Sequence, residues 1–307
     1  MNVKFHFIRN RKYLFAVSLT IIIIGVIACL VRGVRLDIEF AGGSVIEYSY
    51  SGEVKDSDVK DIAEKQLPGK EISVQKTVNF ADSSQKMVVS VAGNDALSID
   101  DFSKLTEALN QEFPEQKFEI SSSDLVSPSI GREMLMNGLL ALLIASVLII
   151  GFVWYSFRKM SGPSAGFMAL VALLHDITIA SIAFILFGGA INETLIAVIL
   201  TILGFSINDT IVIYDRIREN MLLSRGSLPL EDVVNNSIKQ SLGRSINTSL
   251  CMFISVVIAY GFAVAYNLES IKEFALPMMA GIISGTYSSI CIASPLWVAW
   301  KKRARKK

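Results

Sequence analysis

Six runs of about twenty apolar residues, near 13–31, 134–157, 163–187, 195–213, 245–266 and 274–300, constrain this chain more than any other feature. At 1.5 Å per residue each is long enough, as a helix, to cross roughly 30 Å of hydrocarbon. A polar stretch of about a hundred residues separates the first two runs, the size of a small domain. The remaining connections are short apart from a loop near 214–244. The expected organisation is a terminus and first span over 1–31, a separate domain over 32–133, and five further spans with a basic tail over 134–307.

Charge sets the expected orientation. The net charge is only +1, but six spans put both termini on one side. That side collects Lys4, Arg9, Arg11, Lys12, Arg158, Lys159, Arg216, Arg218, Arg225, Lys239, Arg244 and the tail Lys301–Lys307. The short loops opposite carry Lys272 alone. Lys/Arg bias in short loops marks the cytoplasmic face, so both termini are expected there. The 32–133 domain is then extracytoplasmic, and with 11 basic and 19 acidic residues it is acidic. The basic tail suits anionic headgroups of membrane lipid, and nothing in this pattern suggests nucleic-acid binding.

The first run has a basic start, and Val26-Ile27-Ala28-Cys29 echoes a lipoprotein cleavage site. Its apolar core exceeds the usual signal length of about 7–15 residues, so it is read as a retained span. Cys29, Cys251 and Cys291 all lie inside apolar runs and are read as packing residues, not as a disulfide framework.

Within 32–133 the pattern changes. Ser44–Tyr50 alternates as a strand does, and Asp56–Leu67 places Val59, Ile62, Ala63 and Leu67 at helical spacing before Pro68-Gly69. Strands follow near 71–78 and 86–92 around an Asp82-Ser83-Ser84 turn, then a helix near 99–113 and a strand near 117–126. The order βαββαβ is that of a small α+β ferredoxin-like domain. It has no His, no Cys and no nucleophile constellation, so a binding or mechanical module is expected and not an enzyme. Two glycines, Gly42 and Gly43, precede its first strand as a turn or hinge after Glu39 and Phe40.

Ionisable groups inside spans are costly, about 2.5–3.5 kcal/mol even on insertion scales, and by default functional. Span three carries His175-Asp176 and span four Asn208-Asp209. By rise per residue, Asp176 is expected near mid-membrane and Asp209 nearer the inner surface. Ser206 shares the Asp209 face, while Thr201, Gly204 and Asn208 line a neighbouring one. Span five opens with Arg244 and continues a polar stripe through Asn247, Thr248 and Cys251. Arg244 can snorkel to headgroups or pair with Asp209. A carboxylate that gains and loses an arginine can release and take a proton as helices move. In span six Gly281-Ile-Ile-Ser-Gly285 is a small-residue packing face, and Leu230, Val233, Val234, Ile238 and Leu242 form an amphipathic stripe expected along the inner membrane surface.

The run Gly204–Asn220, together with His175-Asp176, Arg244–Ser249 and Phe40–Gly43, resembles the SecD/SecF family of protein-export membrane proteins, on its SecF side. The resemblance spans nearly the whole chain. It implies membership of the resistance-nodulation-division superfamily and a six-helix bundle that forms half of a pseudo-symmetric twelve-helix unit with SecD. It implies association with the SecYEG channel and use of the proton-motive force in late preprotein translocation across the bacterial cytoplasmic membrane. Asp209 would be the relay carboxylate, Arg244 its partner and Asp176 a further relay group, with His175, Ser206, Asn208, Asn247 and Thr248 in support. No cofactor or metal is implied, and Na⁺ could replace the proton. The family pattern Asp-Phe-x-Gly-Gly is met here by Glu39-Phe40-Ala41-Gly42-Gly43, a change of one methylene.

Two other functions compete. Small-molecule exporters of the same superfamily carry two large loops and twelve spans in one chain, unlike this one. An intramembrane protease could use Ser206 with His175, or Asp176 with Asp209. However, Asn208 stands where a serine elbow needs glycine, and the two aspartates are expected about one and a half turns apart.

Overall fold

The structure is a computed structural model and describes residues 5–78, 85–92, 97–126, 128–157, 162–266 and 268–306. Six helices are long and apolar enough to cross a membrane. In chain order the elements are α1 (Arg11–Arg32), α2 (Ile38–Ala41), β1 (Gly43–Ser49), α3 (Asp56–Gln66), β2 (Glu71–Val78), β3 (Gln85–Ala92), α4 (Ile99–Glu112), β4 (Glu119–Val126), α5 (Pro128–Ser156), α6 (Gly162–Leu186), α7 (Glu193–Ser224), α8 (Leu230–Ala265), α9 (Glu269–Ser288) and α10 (Ser294–Lys306). A five-residue π turn, Ser289–Ala293, joins α9 to α10, so the sixth span is one continuous helical rod.

The small domain follows the expected βαββαβ order. Its four strands form one sheet in the order β2-β3-β1-β4, and every neighbouring pair is antiparallel. Period-two alternation decides which side is buried. Ile46 and Tyr48 on β1, and Met87, Val89 and Val91 on β3, pack against Val59 and Ala63 of α3 and Leu105 and Leu109 of α4. Each large side chain so buried contributes about 1.5–3 kcal/mol. Ser98 begins α4 with a capping box: its hydroxyl accepts from the Asp101 N–H, and the Asp101 carboxylate accepts from the Ser98 N–H. The Asp82-Ser83-Ser84 turn lies outside the described residues.

Glycine is required where the chain passes from α2 into β1. Gly42 and Gly43 adopt φ of 80° and 147°, and a Cβ on Gly43 would stand 2.2 Å from the Val91 carbonyl oxygen. Phe40 is buried beside this turn; the Glu39 side chain lies outside the described set.

In the bundle, α7 and the last span are the most enclosed, whereas α1, α5 and α8 keep broad apolar faces exposed. Phe157, Tyr214 and Trp297 meet edge-on or tilted at the end bearing the termini. There Arg11 and Lys302 both reach Glu231, and Asn235 accepts the Phe7 N–H. At the opposite end the small domain is tied down. Leu36 bridges Ile191, and Glu273 accepts from Gln75 of β2 and from Asn192, the N-cap of α7.

One expectation is corrected. The loop near 214–244 is a helical hairpin, since α7 continues to Ser224, α8 begins at Leu230 and only five residues connect them. Its amphipathic stripe meets protein. Val233, Val234, Ile238 and Leu242 are buried against the bundle, because a stripe at helical spacing finds an apolar partner there as readily as in lipid.

Candidate functional site

Close helix approach creates the site. A Cβ on Gly281 would lie 2.2 Å from Ile202 Cδ1, and one on Gly285 3.1 Å from Ser206 Cβ. These two glycines let α9 lie against α7 at nearly backbone distance. The serines of α9 thereby reach into the space between α6 and α7.

Asp176 stands there, fully buried on α6. Its Oδ2 accepts from Ser206 of α7 and Ser288 of α9, each at 2.6 Å. Its Oδ1 accepts from Ser284 of α9 at 2.7 Å and lies 3.0 Å from His175 Nδ1. An ionised carboxylate offers about four lone-pair positions. Three are taken by serine hydroxyls, and the fourth faces His175 Nδ1.

Asp209, at 2% exposure on α7, is served differently. Its one close hydrogen bond among the described residues comes from Ser249 of α8 at 3.1 Å; Thr286 of α9 in turn donates to Ser249 at 2.6 Å. Ser245, one turn before Ser249 on the same face, is buried beside the same carboxylate but makes no hydrogen bond of close geometry. Thr210 and Ser289 share a hydrogen bond at 2.8 Å, and Ser289 also donates to the Ser206 carbonyl at 3.3 Å. Ser289 opens the π turn, a helix irregularity frequent at functional sites. The two carboxylates thus belong to neighbouring hydroxyl clusters that share α7 and α9.

Residues 105–303, from within α4 to α10, match the family described as "Protein export membrane protein SecD/SecF, C-terminal". The chain belongs to the SecD/SecF family. Protein translocase subunit SecF of Thermobaculum terrenum is 35% identical over 305 residues, covering 96% of this chain and 94% of that one. The SecF subunit of Alicyclobacillus acidocaldarius is also 35% identical, covering 100% and 96%. The crystal structure of SecDF, a translocon-associated membrane protein from a Thermus species, superposes with a TM-score of 0.78 at 30% identity. That match covers 98% of this chain and 39% of the SecDF chain, so this SecD/SecF-family chain spans about two fifths of the solved protein.

The structure brings some expected residues together and separates others. Asp176, His175 and Ser206 form one cluster. Arg244 does not meet Asp209. It is exposed and lines a cavity of about 200 Å³ with Val212, Asp215, Arg216, Glu219, Gln240 and Ser241. Helical geometry explains the separation: Ser245 and Ser249 share a face, while Arg244 sits five residues from Ser249, about 140° around α8. Asn208, Asn247 and Thr248 are exposed too, with Thr248 donating to the Arg244 carbonyl.

Neither protease arrangement exists in this SecD/SecF-family chain. The Ser206 hydroxyl is given to Asp176 and not to His175. Asp176 and Asp209 have separate hydroxyl partners. Their levels nevertheless differ less than expected, because Ser206 lies only three residues, about 4.5 Å of rise, before Asp209. The residues that sequence reasoning missed are all hydroxyls: Ser249, Ser284, Thr286, Ser288 and Ser289. Ser284 and Ser288, spaced i, i+4 in an apolar span, were the available signal.

Proposed function

We propose that this chain, paired with SecD, acts in the Sec export machinery and couples the proton-motive force to late preprotein translocation and release. The observation that carries this reading is the unequal service of the two buried carboxylates. Asp176 is met by three serine hydroxyls and by His175, whereas Asp209 accepts one close hydrogen bond, from Ser249, with the Ser245 hydroxyl as its other neighbour and acceptor positions to spare. A buried carboxylate with unfilled acceptor positions can exchange a proton without dismantling its surroundings. Asp209 is the relay group in this reading.

The partner reading draws on the face next to Asp209. Thr201, Gly204 and Asn208 of α7, and Arg244, Asn247 and Thr248 of α8, are exposed on helices that cross the membrane. Arg and Asn facing lipid cost free energy, and a second protein half with matching polar groups removes that cost. SecD is that half, since SecDF proteins carry the matching region within a longer chain. Arg244 is then a mobile partner that approaches Asp209 when the two halves move against each other. The basic ends of the chain face the cytoplasm, and SecYEG and the preprotein are met through the assembled unit.

The test is Asp209→Asn, assembled with SecD in proteoliposomes containing SecYEG. The variant is expected to fold and to co-purify with SecD, while late preprotein movement loses its response to a proton gradient. An unchanged gradient response rules out the relay. A response to a sodium gradient that persists when the proton gradient is collapsed identifies the coupling ion as Na⁺.

A further inference from the structure

We infer that His175 is a second proton-binding site of the bundle, with Asp176 as its fixed counter-anion. The inference rests on the proton-coupled role proposed for Asp209, and it assigns the two members of the His175-Asp176 pair opposite tasks.

Hydrogen-bond capacity makes the assignment. Asp176 is fully buried, and each of its oxygens has two partners: Ser206 and Ser288 on Oδ2, Ser284 and His175 on Oδ1. Adding a proton to either oxygen would displace a hydroxyl donor between packed helices. A hydrogen bond to a charged group contributes more than a neutral one. The carboxylate therefore stays ionised. Its charge needs a compensating positive group, and among the described residues no Lys or Arg is bonded to it. His175 is the adjacent candidate, with its side chain 9% exposed and Nδ1 3.0 Å from Oδ1.

The step is simple. With Nδ1–H donating to Oδ1, the Nε2 lone pair of neutral imidazole takes a proton from the gradient, forming imidazolium. The pair then changes from one net negative charge to none, and all four hydrogen bonds to Asp176 persist. Release returns the proton from Nε2. Ser284, whose hydroxyl lies 3.3 Å from Nδ1, is positioned to respond to this change on α9. Among the described residues the titratable groups against His175 are Asp176 on its own helix and Tyr287 of α9, with ring centroids 6.2 Å apart; Cys291 in the π turn lies near Tyr287, and Asp209 follows Ser206 by about one turn of α7. Tyr287 in turn donates its hydroxyl to the Leu14 carbonyl of α1 at 2.7 Å. Communication with Asp209 runs through α7, which carries both Ser206 and Asp209, and through α9, which carries Ser284, Thr286 and Ser288.

The chain has two histidines, His6 and His175, so the site can be read directly. Nitrogen NMR of imidazole-labelled chain in lipid nanodiscs with SecD, using His6→Gln to remove the other signal, is expected to show His175 changing from neutral to charged within about pH 5 to 8. In Asp176→Asn the charged form is expected to be lost across that range. A wild-type His175 that stays neutral throughout overturns the inference, whether or not Asp209→Asn abolishes coupling. His175→Gln, which keeps a donor to Asp176 but cannot take a proton, is expected to fold and to lose most gradient-driven export. If it exports as the wild type does, the site lies outside the coupling route and the inference fails.

Discussion

Ser288 on α9 gives its hydroxyl proton to Asp176 on α6 at 2.6 Å, one residue before the last span widens into its π turn. The same oxygen of Asp176 accepts from Ser206, so one atom fastens three helices. This bond fixes the packing of α9 at the point where its backbone is least regular.

Removing that hydroxyl tests how much the cluster holds. A hydrogen bond to a charged, buried group is worth about 1.5–3 kcal/mol. Ser288→Ala is expected to destabilise the detergent-solubilised protein by about that much and so lower its thermal midpoint, and Ser284→Ala with Ser288→Ala to lower it further. A double variant as stable as the wild type would show that Asp176 is not held as an anion by these donors.

Glycines in the bundle separate contacts within this chain from contacts with its partner. Gly281→Leu would drive a side chain into Ile202, where a Cβ alone is already 2.2 Å from Cδ1. Overpacking of this kind costs about 1–3 kcal/mol, so the variant is expected to unfold earlier. Nothing lies within 4 Å of a Cβ on Gly204. Gly204→Leu is therefore expected to leave the thermal midpoint unchanged and to reduce co-purification with SecD. Unimpaired SecD binding in that variant would move the partner to another face.

Much of this architecture was legible in the sequence because its signals are local. Six apolar runs became six helices, and alternation in Ser44–Tyr50 with helical spacing in Asp56–Leu67 led to the right βαββαβ order. The hairpin over 214–244 was not legible, since an amphipathic stripe such as Val233-Val234-Ile238-Leu242 looks the same whether it meets lipid or the bundle. His175, Asp176 and Asp209 stood out because charge is rare in a span. Their partners did not. Ser249, Ser284 and Ser288 are ordinary residues in a membrane helix, and only the close approach at Gly281 and Gly285 makes them donors to a carboxylate. Similar depth on consecutive spans suggests the pairing of Asp209 with Arg244, but depth does not tell which face of α8 is turned inward, and here that face carries Ser249 while Arg244 is exposed.

Glu273 couples the small domain to the bundle. Its carboxylate accepts from Gln75 of β2 at 3.3 Å and from Asn192 at 3.2 Å, and Asn192 also caps α7 through the Leu195 N–H. Glu273→Ala removes both of these acceptors and leaves the Leu36–Ile191 bridge in place. Amide exchange at Asp37 and Ile191, whose N–H groups bond across this junction, is expected to quicken while exchange within β1 and β3 is unchanged. Equal protection in wild type and variant would show that Glu273 does not hold the domain in place.

Tyr50 makes the stability of the small domain depend on alkaline pH. Its ring is buried, stacks on Phe118 at 5.2 Å, and lies near Asp56 and Glu53. Burial first, and then these two carboxylates, push its hydroxyl pKa up to about 12 from the ordinary value of 10.0. Because the folded form holds the proton more tightly than the unfolded chain, Tyr50's contribution is fully present below the unfolded value. It is lost as pH rises through the folded one. Urea unfolding of the domain, followed through tyrosine fluorescence, is therefore expected to show a midpoint that falls steadily between about pH 10 and pH 12. Tyr50→Phe is expected to flatten that fall and leave the smaller part due to Tyr48, whose hydroxyl burial also raises. A slope that is unaltered in Tyr50→Phe would mean that another group governs the alkaline limb.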